Sequence, residues 1–512
     1  MSHALDGLQF PVDPNTQKPS SSQVGKAIVA EALSLVDHKS SMAVLAEKNW
    51  RKHYPQYFKA LVQAGIQQPE HAITIAEQGL KKAQQSFQFY RDGRSFSLKD
   101  SLSLAPKSLN TIQIQGQSQQ APTWYVPYHG QQLQGDALLA QLDAWQTQGI
   151  IEASHADAMR LCVAHPEWFD LSDRTMVLFG AGSEAGPLTW LAKWKANIVA
   201  LDLPNPKVWQ RILDTIRLGN ATLYAPTHQD IQPDASDLNQ HLGANLLTEI
   251  PEIIAWLKQQ PNNLDLAAIA YLDGEKHVRV AMAMDMIMSE VSQAKANTSL
   301  MFMCTPTDVY AVAPEVIEAT TLKSEQRSAV YNKLSQAMAL LSRQYLLKAN
   351  DQGLIASSNG KSYGISDCLV IEQGPNYALA KRLQQWRATL ARHQGQVVSI
   401  NIAPSTTTHS VVKNPLLKAA FDGASIFNVE AFAPETTNAL MAALWIHDLR
   451  HPNSIAQPTT LLEHPLELMM SGANHGGLWR VPYLARTVLP FAAVYGMAMQ
   501  KLPQTWLKKL QK

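Results

Sequence analysis

One stretch constrains the fold more than any other: residues 175–204, TMVLFGAGSEAGPLTWLAKWKANIVALDLP. An apolar run at 176–179 is followed by a turn through Gly180, Gly182 and Gly186. A helix-like segment comes next, then a second apolar run that ends on Asp202. Strand, glycine turn, helix, strand, carboxylate is the order of a dinucleotide-binding βαβ unit. Glycine lets the backbone turn sharply and approach a pyrophosphate, and a helix start presents unpaired N–H groups to it. Gly180, Gly182, Ser183 and Gly186 are therefore the expected phosphate-turn residues, and Asp202 the expected partner of an adenosine ribose. An S-adenosylmethionine-dependent methyltransferase also has a glycine-rich first turn and an acid after its second strand. The stretch predicts nucleotide binding without choosing the cofactor.

The rest of the chain supplies the context such a unit needs. Apolar runs at 221–225, 266–271, 299–304 and 396–402 alternate with helical patterns, which argues for a parallel sheet covered on both faces. Residues 1–22, rich in Pro, Ser, Asn and Gln, read as a flexible N-terminus. Residues 23–170 read as a mainly helical domain, with a linker or a few edge strands at 93–122. The expected fold is α/β: a Rossmann-like, doubly wound parallel sheet over residues 171–480, with a helical insertion at about 310–370 and an apolar C-terminal extension at 481–512.

Composition excludes several classes. Lys and Arg number 43 against 42 Asp and Glu, which leaves no electrostatic footprint for nucleic acid. The three cysteines, Cys162, Cys304 and Cys368, lie far apart without CxxC spacing. Neither a disulfide framework nor a cysteine metal site is expected, as befits a reducing, cytoplasmic setting. The N-terminus has no basic segment leading into an apolar run, so it does not read as a secretory signal. The most apolar segment, 481–499, carries Arg486, Pro482 and Pro490 and is expected to be a buried or interfacial helix, not a membrane span. Packing within the protein or its dimer is the first expectation for this extension; contact with a membrane surface is the alternative.

A second constellation narrows the chemistry. Tyr377 and Lys381 stand at i and i+4 near the start of a helical pattern, where the two side chains share a face. A neighbouring ammonium favours the phenolate, which prepares a tyrosine to exchange a proton with a carbonyl or hydroxyl. The helix runs into GQVVSINIAPSTTTHSVVKNP, an apolar strand followed by Pro404 and a threonine run from Thr406 to Thr408.

This arrangement resembles the short-chain dehydrogenase/reductase family, whose Tyr and Lys start such a helix and whose next strand ends in Pro-Gly and a threonine. The resemblance covers about 172–480 and includes FGAGSEAG at the family's glycine turn, LDLAAIAYLDG at its fourth strand and MFMCTPTD at its fifth. It implies an NAD(P)-dependent oxidoreductase acting on a carbonyl or alcohol of a small-molecule substrate, and a homo-oligomer. Tyr377 and Lys381 would form the proton relay, with Thr305 or Thr307 at the family's serine position. Pro404 and Thr406 would meet the nicotinamide. Asp202 favours NAD over NADP, because a carboxylate repels a 2′-phosphate; Lys207 nearby weighs the other way. Glu184 replaces the middle glycine of the turn, and Arg279 lies nearest the family's helix asparagine. About 70 residues separate Thr305 from Tyr377, so an insertion must loop out, and Ser362 and Ser366 on it are rival hydroxyls. If the C-terminal extension lines the pocket, an apolar acyl or isoprenoid carbonyl follows. Two alternatives remain: a Rossmann-fold nucleotide sensor or scaffold that has lost its chemistry, and the methyltransferase.

Overall fold

A computed structural model describes residues 6–13, 16–260, 263–326, 329–343, 345–350 and 353–501. Its centre is a seven-stranded sheet: β1 (Asn110–Gln115), β2 (Thr175–Phe179), β3 (Asn197–Leu201), β4 (Thr222–Thr227), β5 (Leu264–Ala268), β6 (Ser299–Cys304) and β7 (Val397–Ile402). The spatial order is β7-β6-β5-β2-β3-β4-β1. All neighbours are parallel except β1, which closes the edge antiparallel to β4. Without β1 this is the doubly wound Rossmann order, whose winding reverses between β2 and β5. Edge strand β1 comes from the polar 93–122 stretch; its TIQIQ alternation buries Ile112 and Ile114 and exposes the residues between them.

Alternation along β2 explains why both faces must be covered. Val177 and Phe179 enter one core and Met176 and Leu178 the other, and all five strand residues are buried. The first face carries the Met-rich helix Glu275–Ala294 and the helix Gly374–His393. Across these lies the N-terminal helix Pro69–Ser86, where Gly79 seats against the indole of Trp386 so closely that a Cβ would overlap it. The second face carries Pro206–Arg217 and Pro434–Arg450. The N-terminal helices and the sheet thus share one continuous apolar core.

Three expectations differ from what is found. The N-terminus is not flexible throughout: Gly7–Gln9 pairs antiparallel with Gln88–Arg91, with Leu8 and Phe10 buried. Leu8 N–H also donates to Leu247 O at 2.7 Å; residues 1–5, 14 and 15 lie outside the described residues. The insertion is not purely helical. Beside helices Pro314–Glu325 and Ala329–Leu341 it holds strands Ile355–Ala356 and Ser362–Asp367, which form a small antiparallel sheet with Val309–Val312. After the glycine turn, the helix is a single turn, Leu188–Leu191. The chain tightens into i→i−3 bonds at Lys193 and Trp194, then leaves through Lys195 at φ 55°.

Candidate active site

The register brings the turns after several strands to one edge. Phe179 stands opposite Leu201 on one side and Ala268 on the other. Where the winding reverses, the chains leaving β2 and β5 run to opposite faces of the sheet and a crevice lies outside the strand ends, the usual ligand position in such sheets. A cavity of about 940 Å³ lies there, at the upper end of the roughly 300–1,000 Å³ typical of small-molecule and cofactor sites. Gly180, Gly182, Ser183, Asp202, Thr305, Thr307, Tyr377, Lys381, Pro404 and Thr406 all line it. Gly186 does not, and neither do the rivals Ser362 and Ser366; Ser366 is buried against Cys368 at 3.2 Å.

The glycine turn is tightly built. Gly180 has φ 89°, and a Cβ there would stand 2.6 Å from the Ala270 backbone. Asp202 reaches under the turn: one carboxylate oxygen accepts from Gly182 N–H and the other from Leu203 N–H, both at 2.8 Å. Burial raises its pKa, and those two amides oppose the rise. Each oxygen keeps a lone pair, so Asp202 can still accept from ribose hydroxyls. The basic residue beside it is Arg211, one helical turn beyond Lys207; its guanidinium donates to Gly182 O at 3.2 Å.

The phosphate end departs from expectation. A one-turn helix offers no N-terminal anion site. The amides of Gly182, Ser183 and Gly186 bond to Asp202, Gly180 and Ser183 respectively. Glu184 points away from the turn: its carboxylate accepts from His409 N–H at 2.9 Å, and its carbonyl accepts from the Asn438 side chain at 3.0 Å. Three amides of the turn are therefore already committed, to Asp202 and to the turn's own carbonyls.

At the other end of the cavity, Tyr377 and Lys381 rise from the first turns of Gly374–His393. Burial pushes the Tyr377 phenol well above its ordinary value, while a hydrogen bond with Thr305 pulls it down. This corrects the expectation of an activated phenolate: burial wins, and Tyr377 is held as an acid. Lys381 donates to Met303 O at 2.9 Å and to Gln384 at 3.3 Å; burial lowers its pKa, against Cys304 and Asp308. The Thr305 and Thr307 hydroxyls are 2.8 Å apart. Their loop is clamped from below. Tyr310 donates to Thr305 O at 2.7 Å, and buried Asp308 accepts from Val309 N–H, Gln385 and Arg382 at 2.7, 2.8 and 3.1 Å. The Thr406 hydroxyl is shared with Thr437 and Pro404 O.

One residue was missed. His277, in the first turn of Glu275–Ala294, is 1% exposed and stacks on Tyr377 with ring centroids 5.4 Å apart. Tyr271 completes a cluster of three rings, 4.7 Å from His277 and 6.2 Å from Tyr377. Both ring nitrogens are buried without a hydrogen-bond partner. Burial, then the charge of Lys381, holds its pKa well below the ordinary value, so it is neutral. Arg279, the residue the sequence offered at this helix, instead donates to Leu8 O at 2.6 Å, outside the cavity lining. Among the described residues no group of His, Cys, Asp and Glu is placed to hold a metal ion.

No family model and no curated protein matches this chain. Among solved structures it is similar to the terminal R domain from the myxalamid PKS-NRPS biosynthetic pathway. The two are 14% identical, the match covers 59% of this chain and 68% of that one, and the TM-score is 0.29. At that level of likeness the function has to be read from this chain's own residues.

Proposed function

We propose that this Rossmann-fold chain is a nicotinamide-dependent oxidoreductase that interconverts a carbonyl and an alcohol on a substrate with an apolar body. The observation that carries the reading is the meeting of Tyr377, Thr305 and Lys381 in one cavity with the glycine turn and Asp202. The bound nicotinamide would supply or accept the hydride. Asp202 would hold the adenosine ribose, and Thr406 and Pro404 would flank the nicotinamide. NAD is favoured slightly by Asp202, while Arg211 gives a 2′-phosphate a possible partner.

Tyr377 would donate its phenolic proton to the substrate oxygen as that oxygen gains charge, and take it back in the alcohol-to-carbonyl direction. Thr305 would hydrogen-bond the same oxygen, and Lys381, with one donor beyond its two bonds, would orient the relay. A phenol held protonated by burial suits carbonyl reduction at neutral pH. Beyond Tyr377 the cavity wall turns apolar, with Leu417, Phe421, Phe427, Leu478 and Leu489; this supports an acyl or isoprenoid body. A methyltransferase would leave Tyr377 and Lys381 without a part.

Titration with NADH and NADPH, followed by nicotinamide fluorescence, tests the cofactor. Tyr377→Phe should bind the cofactor as the parent does and lose about 10²–10⁴ in kcat on long-chain aldehydes and ketones. In the parent, loss of the Tyr377 proton should cause no alkaline decline of the reduction rate below pH 10, the ordinary tyrosine value. A second reading, a nucleotide sensor without turnover, is favoured by Lys381 already being bonded to Met303 O and Gln384; it predicts cofactor binding that Tyr377→Phe leaves intact and no turnover in either protein.

A further inference from the structure

Each carbonyl reduction would leave Tyr377 without its proton, and the phenolate has to be reprotonated before the next turnover. The groups around it offer few routes. The ring nitrogens of His277 have no hydrogen-bond partner and so hand nothing on. Lys381 donates to the Met303 carbonyl and to the side-chain oxygen of Gln384. Both are carbonyl oxygens, which accept and carry no proton to pass on, so that path ends inside the protein. Tyr310, behind the loop, spends its hydroxyl hydrogen on the Thr305 carbonyl.

A chain of hydroxyls runs the other way. Tyr377 is hydrogen-bonded to Thr305, and Thr305 Oγ1 lies 2.8 Å from Thr307 Oγ1. Thr305 Oγ1 also accepts from Thr307 N–H at 3.3 Å. A hydroxyl has one hydrogen and two lone pairs. With both lone pairs accepting from Thr307, O–H and N–H, the single Thr305 hydrogen is left for Tyr377 or for a substrate oxygen. Thr307 is partly exposed and lines the cavity, which reaches the surface at Tyr271 and Leu416, 48% and 54% exposed. The loop that presents the pair is held still. Pro306 fixes one dihedral between the two threonines, and the next residue, Asp308, is bound by Val309 N–H, Gln385 and Arg382.

We infer that Thr307 reloads Tyr377 with a solvent proton through Thr305, by a hydroxyl relay separate from Lys381. The inference rests on the proposed function. In the reduction, the carbonyl carbon gains a hydride and the carbonyl oxygen gains the Tyr377 proton; the carbonyl is reduced and the nicotinamide oxidised. As the product hydroxyl forms, the Thr305 hydrogen turns to the phenolate. The Thr305 proton passes to Tyr377, the Thr307 proton to Thr305, and a proton from cavity water to Thr307. Each threonine loses one O–H bond and gains another, so both end as hydroxyls and the net change is one proton taken from solvent. The transfers move together, because an isolated alkoxide is far more basic than the phenolate it would reload. Alcohol oxidation runs the same chain outward. Thr307 acts through Thr305 and is therefore a positioning residue for the proton.

Steady-state reduction of a long-chain aldehyde by the full chain, with NADH or NADPH, tests the relay. Thr307→Val keeps the branched shape and removes the hydroxyl; Thr307→Ser keeps the hydroxyl. Thr307→Val should match the parent in melting temperature, cofactor binding and KM, and lose about tenfold or more in kcat. Imidazole buffer, a small proton donor, should restore its kcat as the concentration rises and leave the parent unchanged. Thr307→Ser should keep the parent's kcat without imidazole. In mixtures of light and heavy water, the parent's kcat should follow a curved dependence on deuterium fraction, from several protons in flight, and Thr307→Val a straight one. Thr307→Ala, smaller than either, should behave as Thr307→Val does. A Thr307→Val protein with the parent's kcat and curvature would overturn the relay. So would a loss of kcat that imidazole leaves untouched, since the hydroxyl would then only brace the loop. A parent that binds neither cofactor, or reduces no aldehyde, removes the oxidoreductase reading and the relay together; parent turnover indifferent to Thr307 removes the relay alone.

Discussion

His277 holds two buried, unpartnered ring nitrogens against the ring of Tyr377. Leaving a buried polar atom unsatisfied costs about 1–3 kcal/mol, a cost that stability alone would remove. His277→Phe keeps a flat ring of similar size and deletes both polar atoms. Chemical denaturation should show a stabilisation of about 1–3 kcal/mol, and the proposed reduction should slow. A stability loss would mean that the imidazole has a structural partner and no part at the site. Tyr377 and Lys381 were legible because their relation is local, four residues along one helix. His277 was not, because its meaning lies in stacking on a residue 100 positions away. Arg211 had a faint signal, a basic residue one turn past Lys207, but only the fold shows it reaching Gly182.

At the scale of elements, the turn after β2 is held by a glycine that nothing else can replace. Gly180→Ala meets both a left-handed φ of 89° and the Ala270 backbone at 2.6 Å. Its stability should fall by roughly 1–3 kcal/mol or more, and β2 and β5 should part at the cavity, with nicotinamide binding lost. Gly93 provides the control: φ is 72° and nothing lies within 4 Å, so Gly93→Ala should cost only the backbone share, about 1–2 kcal/mol, and leave the site intact. Equal losses in the two variants would refute the close-approach argument. The strands of this unit were legible because apolar runs buried on both faces are unambiguous. The helix after the turn was not, because Trp190 and Trp194 read as an apolar helical pattern whichever way the backbone winds. Trp194 instead donates to Thr123 O at 3.0 Å and fixes a tighter path. The direction of Glu184 was equally hidden, since its partner His409 belongs to a segment 225 residues on.

Across the whole molecule, burial forces several histidines to stay neutral. Burial pushes His155 down to about 4, holds His277 well below its ordinary 6.5, and lowers His464. The unfolded chain takes up these protons as the pH falls below 6.5 while the folded chain resists them, so proton binding favours unfolding. The stability contribution is complete above pH 6.5 and declines as pH falls toward about 4, at up to about 1.4 kcal/mol per pH unit for each histidine. These residues sit in different places: His155 bonds to Gly472 O beneath the second face, His464 lies under the N-terminal helices, and His277 is at the cavity. The N-terminal helices and the sheet share one core, so the loss should appear as a single cooperative transition moving to lower denaturant. Denaturation midpoints followed from neutral pH to about pH 5 stay above the range where ordinary carboxylates titrate; burial raises Asp202, Asp265 and Glu430, which act with the opposite sign, so the comparison with His277→Phe isolates the histidine share. In His277→Phe the slope against pH should be visibly shallower than in the parent. A midpoint independent of pH over that range, or an unchanged slope in His277→Phe, would show that these imidazoles reach protons in the folded state.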